Sequence, residues 1–421
     1  MQILVLSINY TPEPTGFAPH VSALCEYMAA RDNSVTVLTG FPFAPHWLRW
    51  SEYRGKIVAR ESIRNVDVIR LTHFIPTRPG NALQRIWMEG SFCLMAVVAL
   101  FAELCCTHWD IILYVGAQPS LAMFARLLSA LHHVPYVVAI NDLAAQVATD
   151  VGIVSNKLLA EMLTNFEYVA YNKASGAMVL CEAFRQTLVE HHFPEERIRL
   201  IYNPVDIEIV RPTDGSAFRK AHGLSPDDFI ILFSGSMGLK QGLTNVVEAA
   251  RVTRDEFPQI KWVLVGDGES KRAVEKLISD HGLSEFVRLL PLQHLSQMSF
   301  MYSAADILLL NQLRTVKDAV IPSKLTTYMA AGRPVLAAVN SSSQAALLIR
   351  EARGGLLIAP EDPLALAQGA ISLLTRRPEL EEMGWRNRQY AETWFDQRKI
   401  LAAQESFLLE IMSQPKRATT L

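Results

Sequence analysis

Metal-ligand spacing is missing from this 421-residue sequence. Its five cysteines, Cys25, Cys93, Cys105, Cys106 and Cys181, form no C-x-x-C pair. That argues against the common structural zinc motifs and predicts reduced, mostly buried thiols in a cytosolic protein. Charge of one sign is also missing. Forty Lys and Arg against 42 Asp and Glu leave net −2, so no global field exists for nucleic acid and no nucleic-acid partner is expected. No apolar run reaches the roughly twenty residues that span a bilayer. The longest candidate, residues 91–102, is bracketed by Glu89 and Glu103. The first basic residue is Arg31, after an apolar start at Ile3, so no signal peptide is expected. Familiar phosphate signatures are absent too. There is no G-x-x-x-x-G-K-S/T; Gly235, Gly238 and Gly242 are spaced wrongly for G-x-G-x-x-G; and Lys271 stands where Gly266-Asp267-Gly268 needs its third glycine. A nicotinamide enzyme is therefore a weak runner-up.

What is present centres on residues 306–339. The run Ile307-Leu308-Leu309-Leu310 reads as a buried parallel strand. After a loop, Ser323 can cap a helix through its hydroxyl, and Leu325, Tyr328 and Met329 give that helix an apolar face. Gly332 suits the left-handed residue past the helix end, Pro334 stops continuation, and residues 335–339 form the next strand. Lys324 falls in the first helical turn, where the macrodipole disfavours a cation by roughly 0.3–1 kcal/mol unless an anion is present. Free N–H groups plus a lysine suit a phosphate. Two further junctions repeat the pattern. Strand 229–233 runs into Gly235, Gly238, Lys240, Gln241 and Gly242, and strand 262–265 runs into Gly266, Asp267, Gly268 and Lys271. In open parallel sheets ligands bind beyond the carboxyl ends of the strands, so the convergence predicts a phosphorylated ligand.

The first half opens with a βαβ unit: strand 3–8, a helix with Val21, Leu24, Cys25 and Met28 on one face, and strand 35–38. In the intervening loop, Thr15 and Gly16 can let a ligand approach the backbone, or the stretch is an ordinary proline-rich connection. Residues 41–86 look irregular and locally basic, with Arg49, Arg54, Lys56, Arg60, Arg64, Arg70, Arg78 and Arg85 interleaved with aromatics. With residues 91–102 beside them, two readings stand: a helix on a membrane surface, or a buried helix with a solvated basic loop. Strands 111–115, 135–140 and 177–180 follow. Asp142 and Glu182 sit at the carboxyl ends of the last two, each a candidate base, acceptor-hydroxyl ligand or helix cap. The expected domains are residues 1–205 and 206–396, joined at Asn203-Pro204-Val205-Asp206, with an amphipathic helix 397–413 able to pack back on the first.

These motifs together resemble the GT-B glycosyltransferases, and among them glycosyltransferase family 4. The glycine-and-lysine loop 235–242, the Gly266-Asp267-Gly268 turn, Ala304-Ala305-Asp306, Pro322-Ser323-Lys324-Leu325 and Ala330-Ala331-Gly332-Arg333-Pro334 are similar to that family's donor segments. Asn9-Tyr10-Thr11-Pro12-Glu13 most resembles the branch of colanic acid and O-antigen enzymes. The resemblance implies two Rossmann-like, doubly wound parallel-sheet domains facing across a cleft. It implies transfer of a sugar from a nucleotide diphosphate sugar with retention, without a bound metal or other cofactor, to a polyprenyl-linked glycan acceptor on the cytoplasmic side of a membrane. By resemblance Lys240 and Lys324 serve the diphosphate as catalytic cations. Asp142 is a further catalytic candidate. Gly235, Gly238, Gln241, Gly242, Gly266, Asp267, Gly268, Pro322, Ser323 and Thr327 line the donor site, and Thr15 and Gly16 lie on the acceptor side. Two glutamates that many members carry are replaced here by Ala319 and Thr327. That departure keeps a sugar-nucleotide epimerase and a non-catalytic nucleotide-sugar-binding subunit as alternatives.

Overall fold

Every residue of Ile111–Gly116 and Phe229–Ser234 is buried, which a strand achieves only when both faces of its sheet are covered. The computed structural model describes residues 1–14, 17–44, 46–78, 81–99, 107–143, 157–316 and 321–414, without the side chains of 82 and 157–160. Contacts divide the chain into two units. One is Met1–Tyr202 together with the chain from Leu401 on; the other is Asn203–Ile400.

The first unit contains β1 (Gln2–Leu6), α1 (Ala18–Ala29), β2 (Ser34–Gly40), β3 (Val58–Ile63), β4 (Val66–Leu71), α2 (Ala82–Ala99), β5 (Ile111–Gly116), α3 (Pro119–His132), β6 (Tyr136–Ile140), α4 (Lys157–Tyr171), β7 (Gly176–Val179), α5 (Glu182–Glu190) and β8 (Ile198–Leu200). Their sheet runs β3-β4-β2-β1-β5-β6-β7-β8. All neighbours are parallel except β3 with β4. The antiparallel pair corrects the reading of residues 41–86 as irregular. The hairpin turns at Arg64 and Asn65, both at positive φ (49° and 65°), the geometry of a primed two-residue turn. The expected basic patch thins accordingly. Arg70 is fully buried and paired with Glu61 at 2.9 Å, and Arg64 pairs with Glu26.

The second unit contains α6 (Ser216–Ala221), β9 (Phe229–Ser234), α7 (Thr244–Thr253), β10 (Ile260–Val265), α8 (Lys271–Asp280), β11 (Val287–Leu290), α9 (Met298–Ala304), β12 (Ile307–Asn311), α10 (Ser323–Ala330), β13 (Val335–Ala338), α11 (Gln344–Ala352), β14 (Gly355–Ile358), α12 (Pro363–Thr375) and α13 (Leu380–Trp394). The six strands are parallel, in the order β11-β10-β9-β12-β13-β14. One core layer joins Phe229, Ile231, Phe233, Trp262 and Leu264 to Val246, Val247, Leu366 and Leu373 of the covering helices. Asp306 pins the start of β12, accepting from Arg219 and from the Ile230 N–H, both at 2.8 Å. Past α10, Gly332 takes φ 66°, the left-handed turn its position called for.

The last helix, α14 (Gln397–Ser413), carries the chain back into the first unit. Phe407 and Ile411 reach Gly176 so closely that an added Cβ there would lie 2.7 and 2.8 Å from their side chains. Glu405 holds Arg31 and Tyr27, and Glu410 holds Arg199.

Candidate functional site

Strand order places the candidate donor site. β9, β10 and β11 step one way from the middle of the second sheet, and β12, β13 and β14 step the other. The switch point therefore lies beyond the carboxyl ends of β9 and β12, where such sheets bind ligands. The loop after β9 carries Gly235–Gly242; the segment after β12 leads to α10 and Lys324.

Glycine lets these loops touch. A Cβ on Gly266 would sit 1.9 Å from the Gly235 carbonyl oxygen, and one on Gly268 would sit 2.8 Å from the Met237 carbonyl carbon. The two loops are also bonded: Gly235 N–H donates to Val265 O, and Met237 N–H to Asp267 O. A Cβ on Gly235 would meet Lys324 Cε at 2.4 Å, so the absent side chain is the space the lysine occupies. Gly242 sits at φ 54°, and a side chain there would meet Leu313. Gly238 is different: a Cβ there meets nothing nearer than 3.8 Å.

Lys324 is half-buried, with its Nζ 4.6 Å from the Phe233 ring centre and donating to Ser236 O at 3.3 Å. Burial pushes its pKa down to about 8. No carboxylate among the described residues compensates that cation. Lys240 lies exposed on the short turn Leu239–Gln241, with no side-chain partner among the described residues. Lys271 is engaged, at 3.8 Å from Asp267. Ser323 departs from expectation. The cap position is taken by Pro322 in an extended conformation, and Ser323 is the first helical residue, making no capping bond. Its carbonyl instead accepts from the Thr326 and Thr327 hydroxyls. The Thr327 proton is thereby used within the helix, leaving only an acceptor oxygen.

Three contributors carried no sequence signal of their role. Tyr328, buried in α10, accepts from the Ser234 N–H at 2.9 Å and donates to the Ser234 carbonyl at 3.2 Å, tying the lysine helix to the end of β9. Asn311 donates to Gln241 O and Gly242 O and accepts from Asn245, fixing the glycine loop. Gln312 is 6% exposed, and its side-chain oxygen has no donor among the described residues, as is also true of the Gln241 side-chain oxygen. A buried acceptor left this way costs about 1–3 kcal/mol.

The first sheet has its own switch point, between β1 and β5. The loop after β1 is held by Glu13, whose carboxylate is buried and accepts from the Phe43 and Ala44 N–H groups at 2.8 Å and from Asn9 at 2.8 Å. Arg70 donates to Thr11 O at 2.5 Å. Thr15, Gly16 and Ala319 lie outside the described residues. Asp142 sits two residues beyond β6, half-buried, in this first unit. Glu182 begins α5 and pairs with Arg185 at 2.8 Å, the behaviour of a helix-end acid. Among the described residues no group of three or more His, Cys, Asp or Glu gathers in a way that could hold a metal ion, and no helix is long and apolar enough to cross a membrane.

Comparison with known proteins follows the same division. The family model for glycosyl transferases group 1 matches residues 214–390, and that for the glycosyl transferase 4-like domain matches residues 15–204. Over 410 residues the chain is 29% identical to the colanic acid biosynthesis glycosyl transferase WcaI of Escherichia coli (strain K12), spanning 95% of this chain and 98% of that protein. Its fold superposes on Anabaena HepE, solved in complex with UDP, with a TM-score of 0.72 at 17% identity, covering 97% of this chain and 100% of the other. It also superposes on the sucrose-phosphate synthase of Thermosynechococcus elongatus, with a TM-score of 0.73 at 17% identity, covering 98% and 99% of the two chains. Two adjoining family matches and the shared architecture carry one conclusion: the chain belongs to the group 1 glycosyl transferases of the GT-B fold.

Proposed function

We propose that this chain transfers a sugar, with retention of configuration, from a nucleoside diphosphate sugar to a lipid-linked oligosaccharide during bacterial exopolysaccharide or O-antigen assembly. The observation that carries the donor half is Lys324: a half-buried cation, uncompensated by acid among the described residues and pressed against a glycine loop at the sheet's switch point. A departing diphosphate develops charge, and preplaced cations and backbone N–H groups stabilise it without a metal. In this reading Lys240 and Lys324 meet the diphosphate. Gly235, Gly238, Gln241, Gly242, Gly266, Asp267, Gly268, Pro322, Ser323 and Thr327 surround it. Thr15 and Gly16 serve the acceptor, and Asp142 is the candidate base. The UDP complex of HepE and the colanic acid role named for WcaI support the same substrate classes. Retention rests on the family resemblance.

The membrane half rests on α2. Its buried face is Met88, Phe92 and Ala96, yet Leu83, Trp87 and Leu94 on the other face are 76%, 64% and 67% exposed. One side of the helix is core, and in this reading the exposed apolar stripe of the other side lies on a bilayer surface.

Calorimetric titration with UDP, GDP and dTDP tests the donor half. One nucleoside diphosphate is expected to bind, and Lys240→Ala and Lys324→Ala should each weaken it by about 1.5–3 kcal/mol, the worth of a charge-assisted contact. Binding of none of the three would sink this reading. Chelation with EDTA is expected to leave transfer activity intact.

A further inference from the structure

We propose that the side-chain amide of Gln312 reads a hydroxyl group of the transferred sugar; this rests on the donor site proposed above. Gln312 directly follows β12, and its N–H continues the ladder by donating to Ala338 O at 3.0 Å. Its two neighbours are committed. Asn311 holds the Gln241 and Gly242 carbonyls, and the Leu313 N–H donates to Lys240 O. Both therefore lock the lysine loop. Strand alternation turns Gln312 to the opposite face from Asn311. The crossovers β9-α7-β10 and β12-α10-β13 leave the switch point in opposite directions, so their right-handedness puts α7 and α10 on opposite faces. Asn311 faces the α7 side, where it meets Asn245. Gln312 accordingly lies on the side of α10, the helix that carries Lys324.

The chemistry fits a hydroxyl. A carboxamide offers one acceptor oxygen and two N–H donors, so it can both accept from and donate to a sugar alcohol. The Gln312 oxygen is buried and lacks a donor among the described residues, an exception that native proteins rarely leave unfilled. On the same side Thr327 offers no competing proton, because its hydroxyl is already donated to Ser323 O. A neutral amide that must pair with a hydroxyl selects strongly against donors that lack one there.

The test compares wild type with Gln312→Leu, Gln312→Ala and Gln312→Glu by calorimetry. The probes are UDP, GDP, dTDP, UDP-glucose, UDP-N-acetylglucosamine, GDP-mannose and dTDP-glucose, with urea midpoints confirming that each variant is folded. Gln312→Leu and Gln312→Ala should bind the preferred nucleoside diphosphate within twofold of wild type and its preferred sugar conjugate at least tenfold more weakly. Gln312→Glu, which keeps an acceptor oxygen, should recover part of that loss. Equal losses for the bare diphosphate and the conjugate, or no loss for either, would overturn the assignment while the donor site stands. A wild type that binds no nucleoside diphosphate would remove the donor site itself.

Discussion

Lys324 links burial to pH. Its pKa in the folded protein, about 8, lies below its ordinary 10.5 because burial disfavours the charge. Folding thus favours the neutral amine. The charged lysine costs stability at every pH below about 8, and that cost fades as pH rises toward 10.5. Diphosphate binding has the opposite need, since an anion pairs only with the protonated form. Affinity for the preferred nucleoside diphosphate should therefore be flat below pH 8 and fall by about tenfold per unit above it. In Lys324→Arg the guanidinium stays charged, and the profile should remain flat to pH 10. A wild-type profile that does not bend, measured calorimetrically from pH 6 to 10, would place the charge elsewhere. A second residue-scale test concerns Gly266. Alanine there drives Cβ into the Gly235 carbonyl at 1.9 Å, backbone against backbone. Overpacking of this kind costs about 1–3 kcal/mol, to be read as a lower urea midpoint. Gly238→Ala, whose Cβ comes no nearer than 3.8 Å to the Ser236 hydroxyl, should be close to neutral in the same assay.

At the scale of elements, α10 is registered to β9 by one phenol. Tyr328→Phe keeps the buried ring but leaves the Ser234 N–H without its acceptor. It should cost about 1–3 kcal/mol in urea unfolding. It should also weaken nucleotide binding, because the lysine is then less firmly held over the glycine loop. Loss of stability with unchanged nucleotide affinity would show that Tyr328 does not position the site. Much of this architecture was legible in the chain. Apolar runs such as Ile307-Leu308-Leu309-Leu310 read as strands covered on both faces by their length and polar flanks, and glycines beside lysines marked the loops. The hairpin of β3 and β4 was not legible, because Arg60, Glu61, Asp67 and Arg70 break the apolar alternation and the Arg64-Asn65 turn lacks glycine. Tyr328 read correctly as a core residue, yet its hydroxyl's partner lies 94 residues away, and no local pattern encodes such a bond. Gln312 was missed for the same reason. A single glutamine at a strand end acquires meaning only when the sheet order places it at the switch point.

The whole molecule divides its chemistry between two units, and the division makes the membrane proposal separable from the donor proposal. The apolar stripe of α2 belongs to the first unit, and the lysines to the second. Exposed apolar side chains on one helix face are costly in water, and burying a Trp or Leu side chain returns about 1.5–3 kcal/mol. Trp87→Asp or Leu94→Asp should thus each reduce binding to vesicles containing anionic lipid by about tenfold or more, at roughly 1.4 kcal/mol per decade. Neither should change the nucleoside diphosphate affinity of the second unit. Salt discriminates the origin of any residual attraction. Arg54, Lys56 and Arg78 are exposed in the same unit. Their contribution should fade as ionic strength rises and the Debye length shrinks, whereas the apolar contribution of α2 should persist. If vesicle binding vanished at 0.5 M salt and survived both aspartate substitutions, the basic residues alone would hold the surface and α2 would need another partner. If binding outlasted salt and failed with Leu94→Asp, α2 would hold the core with one face and the bilayer surface with the other.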